Sequence, residues 1–191
     1  EFKSNLEHSK VLIEYNGTRV IVAGDYKVEE DNVSGKFEHI ECDIFVTEST
    51  FAKPRYSWTP QEHVFQEIND WWKQNQKENK VSVLQAYALG KAQRLLRNVD
   101  RTIGKIFVAE QIGNVNQIYL ESGSDLPETI TLNPKLNPDD FTGSLILAPS
   151  MKVFEEINIP QQKSVKRVSG WMLDAWFGGD GFVLSDHADW E

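Results

Sequence analysis

Ser185-Asp186-His187-Ala188-Asp189 follows the apolar run Gly181-Phe182-Val183-Leu184 near the end of a 191-residue chain. One imidazole thus stands among carboxylates where a strand ends. A carboxylate beside an imidazole favours its protonated form and fixes its tautomer, which suits a general acid. Two more carboxylates occupy comparable places. Asp25 comes just after Val20-Ile21-Val22-Ala23, and Glu48 just after Asp43-Ile44-Phe45-Val46-Thr47. Either one singly reads as a solvated strand end. Two of them, each beyond an apolar run and in the company of His187, call for a second, functional reading. The other histidines, His8, His39 and His63, form neither His-x-His nor His-Glu-x-x-His and sit in polar surroundings.

Another stretch has an anion-binding geometry. In Tyr87-Ala88-Leu89-Gly90-Lys91-Ala92-Gln93-Arg94 a strand ends, a glycine turns the chain and a helix starts. Free N–H groups at a helix start favour an anion, and glycine permits close approach. Gly90, Lys91 and Arg94 are therefore candidate phosphate contacts, with a routine turn and a solvated basic face as the even alternative. The Walker A spacing is absent. A second basic run holds Lys163, Lys166 and Arg167; it reads as a possible backbone contact or as a strand kept soluble by its charges.

These groups need a scaffold, and the pattern implies an α/β one. Val11–Tyr15 and Thr18–Ala23 flank Asn16-Gly17, the preferred pair for a type I′ hairpin turn. Asp43–Thr47 is a further short strand. The clearest helix spans 59–77: Thr59-Pro60-Gln61-Glu62 has the form of a capping box with proline at the first helical position, and Val64, Phe65, Ile68, Trp71 and Trp72 share a face. Tryptophans can stack bases, but spacing on the apolar stripe assigns this pair to the core. Strands at 81–88, 105–109, 143–148 and 164–169 then alternate with helices at 90–97, 112–121 and 151–157, with Ile130–Leu132 as a possible short strand. This order implies a mostly parallel sheet with helices on both faces.

Composition narrows the function. The chain is 40% hydrophobic and 26% charged, which suits a packed core. A net charge of −9 argues against binding nucleic acid by bulk charge, though not against a nuclease with acidic metal ligands at its centre. Cys42 is the single cysteine, so neither an intrachain disulfide nor a thiolate zinc site can form, as suits a reducing, cytoplasmic setting. No membrane span or signal peptide is legible. No Gly-x-Gly-x-x-Gly follows a strand, which makes a Rossmann-like nucleotide binder the weakest reading.

Five segments, "GDYK", "TESTF", "YALGKAQRLL", "SGWM" and "GFVLSDHADW", resemble in this order the β-CASP branch of the metallo-β-lactamase superfamily, and within it the bacterial ligase-associated DNA exonucleases. The resemblance covers nearly the whole chain. It implies part of an αββα metallo-β-lactamase core over 1–56, a β-CASP insert over 57–176, and a strand returning to the core over 177–191. It implies Asp25 as the bridging metal ligand, Glu48 beside the metals, and His187 as the general acid paired with Glu48. Two divalent ions, zinc or manganese, would activate water for attack on a phosphodiester, and the helix start at Gly90 and Lys91 would meet a phosphate.

The chain departs from that pattern. The His-x-His-x-Asp-His signature is missing, His8 does not fall in register with a further ligand, and "MLDAWFGGD" is acidic where relatives are basic. Of the implied metal ligands only Asp25 is present. The expectation is therefore an incomplete chain of a metal-dependent DNA exonuclease, holding no metal and inactive by itself, whose partners are DNA and, by the group's name, a DNA ligase and a helicase. A β-CASP ribonuclease, an enzyme of the messenger-RNA 3′-end-processing kind, or a non-catalytic nucleic-acid- or protein-binding α/β module are the alternatives.

Overall fold

The computed structural model of the chain describes residues 2–4, 9–33, 35–173 and 180–190. His8 and most of the acidic "MLDAWFGGD" stretch, residues 174–179, lie outside them.

Two sheets organise the described residues. The first has the order β1 (Phe2–Ser4), β2 (Ser9–Tyr15), β3 (Thr18–Ala23), β4 (Ile44–Val46). Asn16 and Gly17 both take positive φ, as the expected hairpin turn requires. β4 runs parallel to β3, in a register that sets Val20 opposite Ile44 and Val22 opposite Val46. β4 is the outer strand of this sheet, and Ile44, Phe45 and Val46 are all exposed.

The second sheet has six strands, in the order β10 (Gly181–Phe182), β9 (Lys163–Val168), β5 (Val81–Gln85), β8 (Leu145–Ala148), β6 (Ile106–Val108), β7 (Ile130–Thr131). Every pairing in it is parallel. Side chains alternate across it. Leu84, Val108, Leu145 and Leu147 face a core shared with α1 (Gln61–Lys77), α2 (Lys91–Asn98) and α3 (Glu110–Glu121). Val81, Val83, Phe107 and Ile146 face the other way, onto Phe141, Val153 and Phe154. The protein is thus a mixed α/β fold whose larger sheet is flanked by helices. All three α-helices among the described residues pack on one face; the other, where helices were also expected, is covered by the 3-10 turns Pro138–Phe141 and Met151–Glu155 and adjoining loops, the second turn standing where a short helix over 151–157 was expected.

α1 buries the stripe that its spacing announced. Trp72 is fully buried and donates from Nε1 to Gly143 O at 3.0 Å; Trp71, half-buried, donates to Ser164 Oγ at 3.0 Å. Its start differs from the expected capping box. The helix begins at Gln61, with Pro60 at the cap and no side-chain cap bond from its own segment. Glu29, from the loop after β3, accepts the Gln61 N–H instead, at 3.2 Å. A carboxylate at a helix start opposes the positive end of the helix dipole, so α1 is tied to the first sheet's loop by the group that stabilises it.

The segment expected to return to the first sheet does so only after Leu184. Gly181–Phe182 still pairs with β9 in the larger sheet. Residues 185–190 then cross to the ends of the first sheet, where Ala188 N donates to Tyr26 O at 2.6 Å.

Candidate active site

Parallel pairing of β3 and β4 sends both strands out of the first sheet in the same direction. Asp25 lies three residues beyond Val22, and Glu48 two beyond its register partner Val46. The crossing 185–190 segment brings His187 to both. His187 Nδ1 lies 3.2 Å from Glu48 Oε1, and Nε2 lies 3.6 Å from Asp25 Oδ2. One ligand atom from each residue falls within 4.8 Å of the others. Glu48 and His187 are about four-fifths buried, whereas Asp25 is 61% exposed. Burial by itself would raise the Glu48 carboxyl, but hydrogen bonds from the Thr50 hydroxyl and N–H and from His187 outweigh it and hold it below the usual range. It is thus an anion fixed against the imidazole.

The position of His187 is set by its surroundings. Phe51, buried two residues beyond Ser49, packs edge-on against the ring with centroids 5.4 Å apart. Phe51 in turn contacts Tyr56, Trp58 and Trp171. Trp58 donates from Nε1 to His187 O at 3.0 Å and from its backbone N–H to Asp189 Oδ2 at 2.9 Å. His187 N donates to Ser185 Oγ at 3.0 Å. Gly170 closes this packing: a Cβ there would lie 3.0 Å from both Phe51 Cζ and Ser185 Cβ.

Lys91 and Arg94 are not where the sequence placed them. They are 3% and 2% exposed and point inward, so neither is an open phosphate contact nor part of a solvated basic face. Lys91 Nζ donates to Leu184 O at 2.6 Å and pairs with Asp186 Oδ2 at 2.8 Å. Arg94 Nη1 donates to Ser185 O and meets Asp186 Oδ1 at 3.3 Å, while Nη2 pairs with Glu29 at 3.0 Å. Two cations one helical turn apart therefore grip the chain immediately before His187. Burial pushes Lys91 down to about 8, against the attraction of Asp186. Asp186, raised by burial, is carried below the ordinary carboxyl value by Lys91 first and then by Arg94 and Lys27. Gly90 lines a cavity wall, and Lys91, though buried, borders the same cavity. The Gly90 φ of 76° is the left-handed conformation that lets α2 begin abruptly after the strand.

A cavity of about 370 Å³ opens over the cluster, lined by Asp25, Phe51, Gly90, Trp171, Asp186 and His187 among others. A second, of about 350 Å³, lies alongside and shares Tyr87, Ser169 and Trp171 with it. Carboxylate and imidazole are donors that zinc and manganese accept. A catalytic zinc takes about three protein ligands, so these three groups fit the edge of a single ion; among the described residues they do not make a cage for two.

The structure brings together Asp25, Glu48 and His187, which the sequence singled out, and adds what holds them. Phe51 and Asp189 flank the motif residues closely, so their nearness along the chain was the available signal; Trp58, 129 residues from His187, carried none. Nothing local marked Lys91 and Arg94 as partners of Asp186, more than 90 residues away.

No family model matches the chain. A protein named "Probable DNA ligase" from Opitutus terrae is 23% identical over 181 residues. The match covers 90% of this chain and 17% of that protein's length.

Proposed function

We infer that the chain carries the phosphodiester-cleaving centre of a metal-dependent DNA-processing nuclease of the β-CASP type. The observation that carries this reading is the meeting of His187, Glu48 and Asp25 from three segments distant in sequence, with His187 and Asp25 lining a cavity. His187, oriented by Glu48, would deliver a proton to the leaving oxygen, which prevents build-up of an unstable alkoxide. Glu48 fixes the imidazole tautomer and offsets the charge of its protonated form. Asp25, the most open of the three, would contribute a carboxylate to a divalent ion. When bound, such an ion supplies charge stabilisation and a water of lowered pKa. The name of the Opitutus terrae relative supports DNA as substrate and a ligase as the associated activity; RNA is the close variant.

The test is cleavage of 5′-labelled single-stranded DNA and of a matched RNA by the protein, with manganese or zinc. Loss of cleavage in Glu48→Gln and His187→Ala with DNA binding kept supports the reading. Normal turnover in both sinks it. A second reading, a metal-free nucleic-acid-binding module, draws on the three converging donors where two ions would need more. Salt-sensitive binding of single strands without metal, and no cleavage with it, would favour it.

A further inference from the structure

We propose that the second cavity is a nucleotide subsite, in which one base of a single strand stacks beside Trp171 and Tyr87 while Arg167 holds its phosphate. This rests on the nucleic-acid reading above and adds to it a place for a unit that is not itself cleaved.

The cavity lies at the carboxyl ends of three parallel strands. β5 supplies Gln85 and leads into Tyr87, β9 supplies Arg167 and leads into Ser169, and Pro149 follows β8. That edge is where open parallel sheets hold ligands. At about 350 Å³ it falls at the lower end of the range for small-molecule pockets. Its lining matches the parts of a nucleotide. Tyr87 is 71% exposed and Trp171 36%, so each presents aromatic surface in water. Trp171 is also held in place: its ring lies 4.7 Å from that of Phe51, which packs on His187. A braced ring loses little freedom when a base stacks on it. Gln85 brings an amide, and Met172 a polarizable wall.

The charge distribution selects Arg167. Lys91 and Arg94 are consumed by Asp186, and Lys166 pairs with Asp180 at 2.8 Å. Arg167 is exposed, lines the cavity and has no acidic partner among the described residues. A guanidinium presents a planar fork to phosphate oxygens. In a chain of net charge −9, one exposed arginine beside the exposed Tyr87 and the partly exposed, braced Trp171 localises a strand where bulk charge would not. Since Trp171 lines both cavities, a strand seated here would continue toward His187.

The experiment is fluorescence anisotropy with fluorescein-labelled hexathymidylate and a labelled abasic hexanucleotide of equal charge, without metal. Tyr87→Ala and Arg167→Ala, both exposed positions, are compared with the parent chain after circular dichroism has established that each is folded. The parent should bind hexathymidylate more tightly than the abasic strand. Tyr87→Ala should weaken hexathymidylate about tenfold, within the range for loss of one stacked base, and leave the abasic strand unchanged. Arg167→Ala should weaken both, with partial recovery in Arg167→Lys. Equal binding of the two strands, an unchanged Tyr87→Ala, or no binding by the parent chain overturns the subsite. Base-dependent binding with no cleavage by the protein in the presence of metal would leave the subsite standing and remove the nuclease. Cleavage with base-independent binding would do the reverse.

Discussion

His187 Nδ1 and Glu48 Oε1 meet at 3.2 Å across a separation of 139 residues. Nothing local brings them together. The contact depends on two strand registers and on a buried ionic grip, and each of these can be perturbed separately.

If His187 is the proton donor and Glu48 its anchor, His187→Ala and Glu48→Gln should each lower turnover by roughly 10²–10⁴-fold, the range for general acid–base groups. Glu48→Gln preserves shape, so strand affinity should stay within a few-fold. Steady-state cleavage and anisotropy separate the two quantities.

Asp186 gives an acid limb to stability. Its carboxyl titrates lower in the folded chain than when unfolded, so its contribution is complete above the unfolded value of about 4 and is lost as pH falls through the folded value. Glu48 acts with the same sign. Melting temperature followed from pH 7 down to 2.5 should fall more steeply in the parent than in Asp186→Asn. Parallel acid limbs would remove Asp186 as the source.

At neutral pH, Asp186→Asn leaves Lys91 and Arg94 buried with a lost partner and should cost about 3 kcal/mol. Lys91→Met/Asp186→Leu removes charge from both sides and should recover much of that stability. Turnover should not recover with it, because the grip on the chain before His187 is gone. Denaturant unfolding and cleavage, measured on the same variants, check the separation.

Trp72→Phe should cost about 1–3 kcal/mol, since the buried Gly143 carbonyl loses its donor. Chemical denaturation gives the number; a neutral result would mean that the carbonyl finds another partner.

Gly170→Ala puts a methyl 3.0 Å from Phe51 and Ser185. It should displace the ring that braces His187, and so reduce turnover by a larger factor than the loss of thermal stability implies. Equal activity in this variant would show that the loop absorbs the methyl elsewhere.

The parts legible in the sequence were those written in local pattern. Alternation and turn chemistry gave β2 and β3, 3.6-residue spacing gave the buried face of α1, and apolar runs ending in acid marked Asp25 and Glu48. The direction of Lys91 and Arg94 was not legible, because it is decided by Asp186, which comes from another layer of the fold. Partial signs were present: Lys91 and Arg94 lie beside Ala92 and Leu95, both buried, so their face of α2 was not bound to be the solvent face. The cap on α1 was misread for the same reason. A local Thr-x-x-Glu pattern competed with Glu29, and the distant carboxylate took the position.

The parallel register of β3 and β4 also sets which changes of chain length the protein can absorb. The connection between them holds residues 24–43 and fixes no pairing by its length, so insertions toward the middle of it should pass with little effect. One residue added between Val22 and Asp25, or between Val46 and Glu48, is a different event. Either carboxylate follows within two residues of its strand's end, so a single extra residue would shift it from its place beside His187 while the six-stranded sheet folded unchanged. Such a protein would be soluble, well packed and silent. Gene-length variation in this segment is therefore a sharper marker of lost function than substitution of the core.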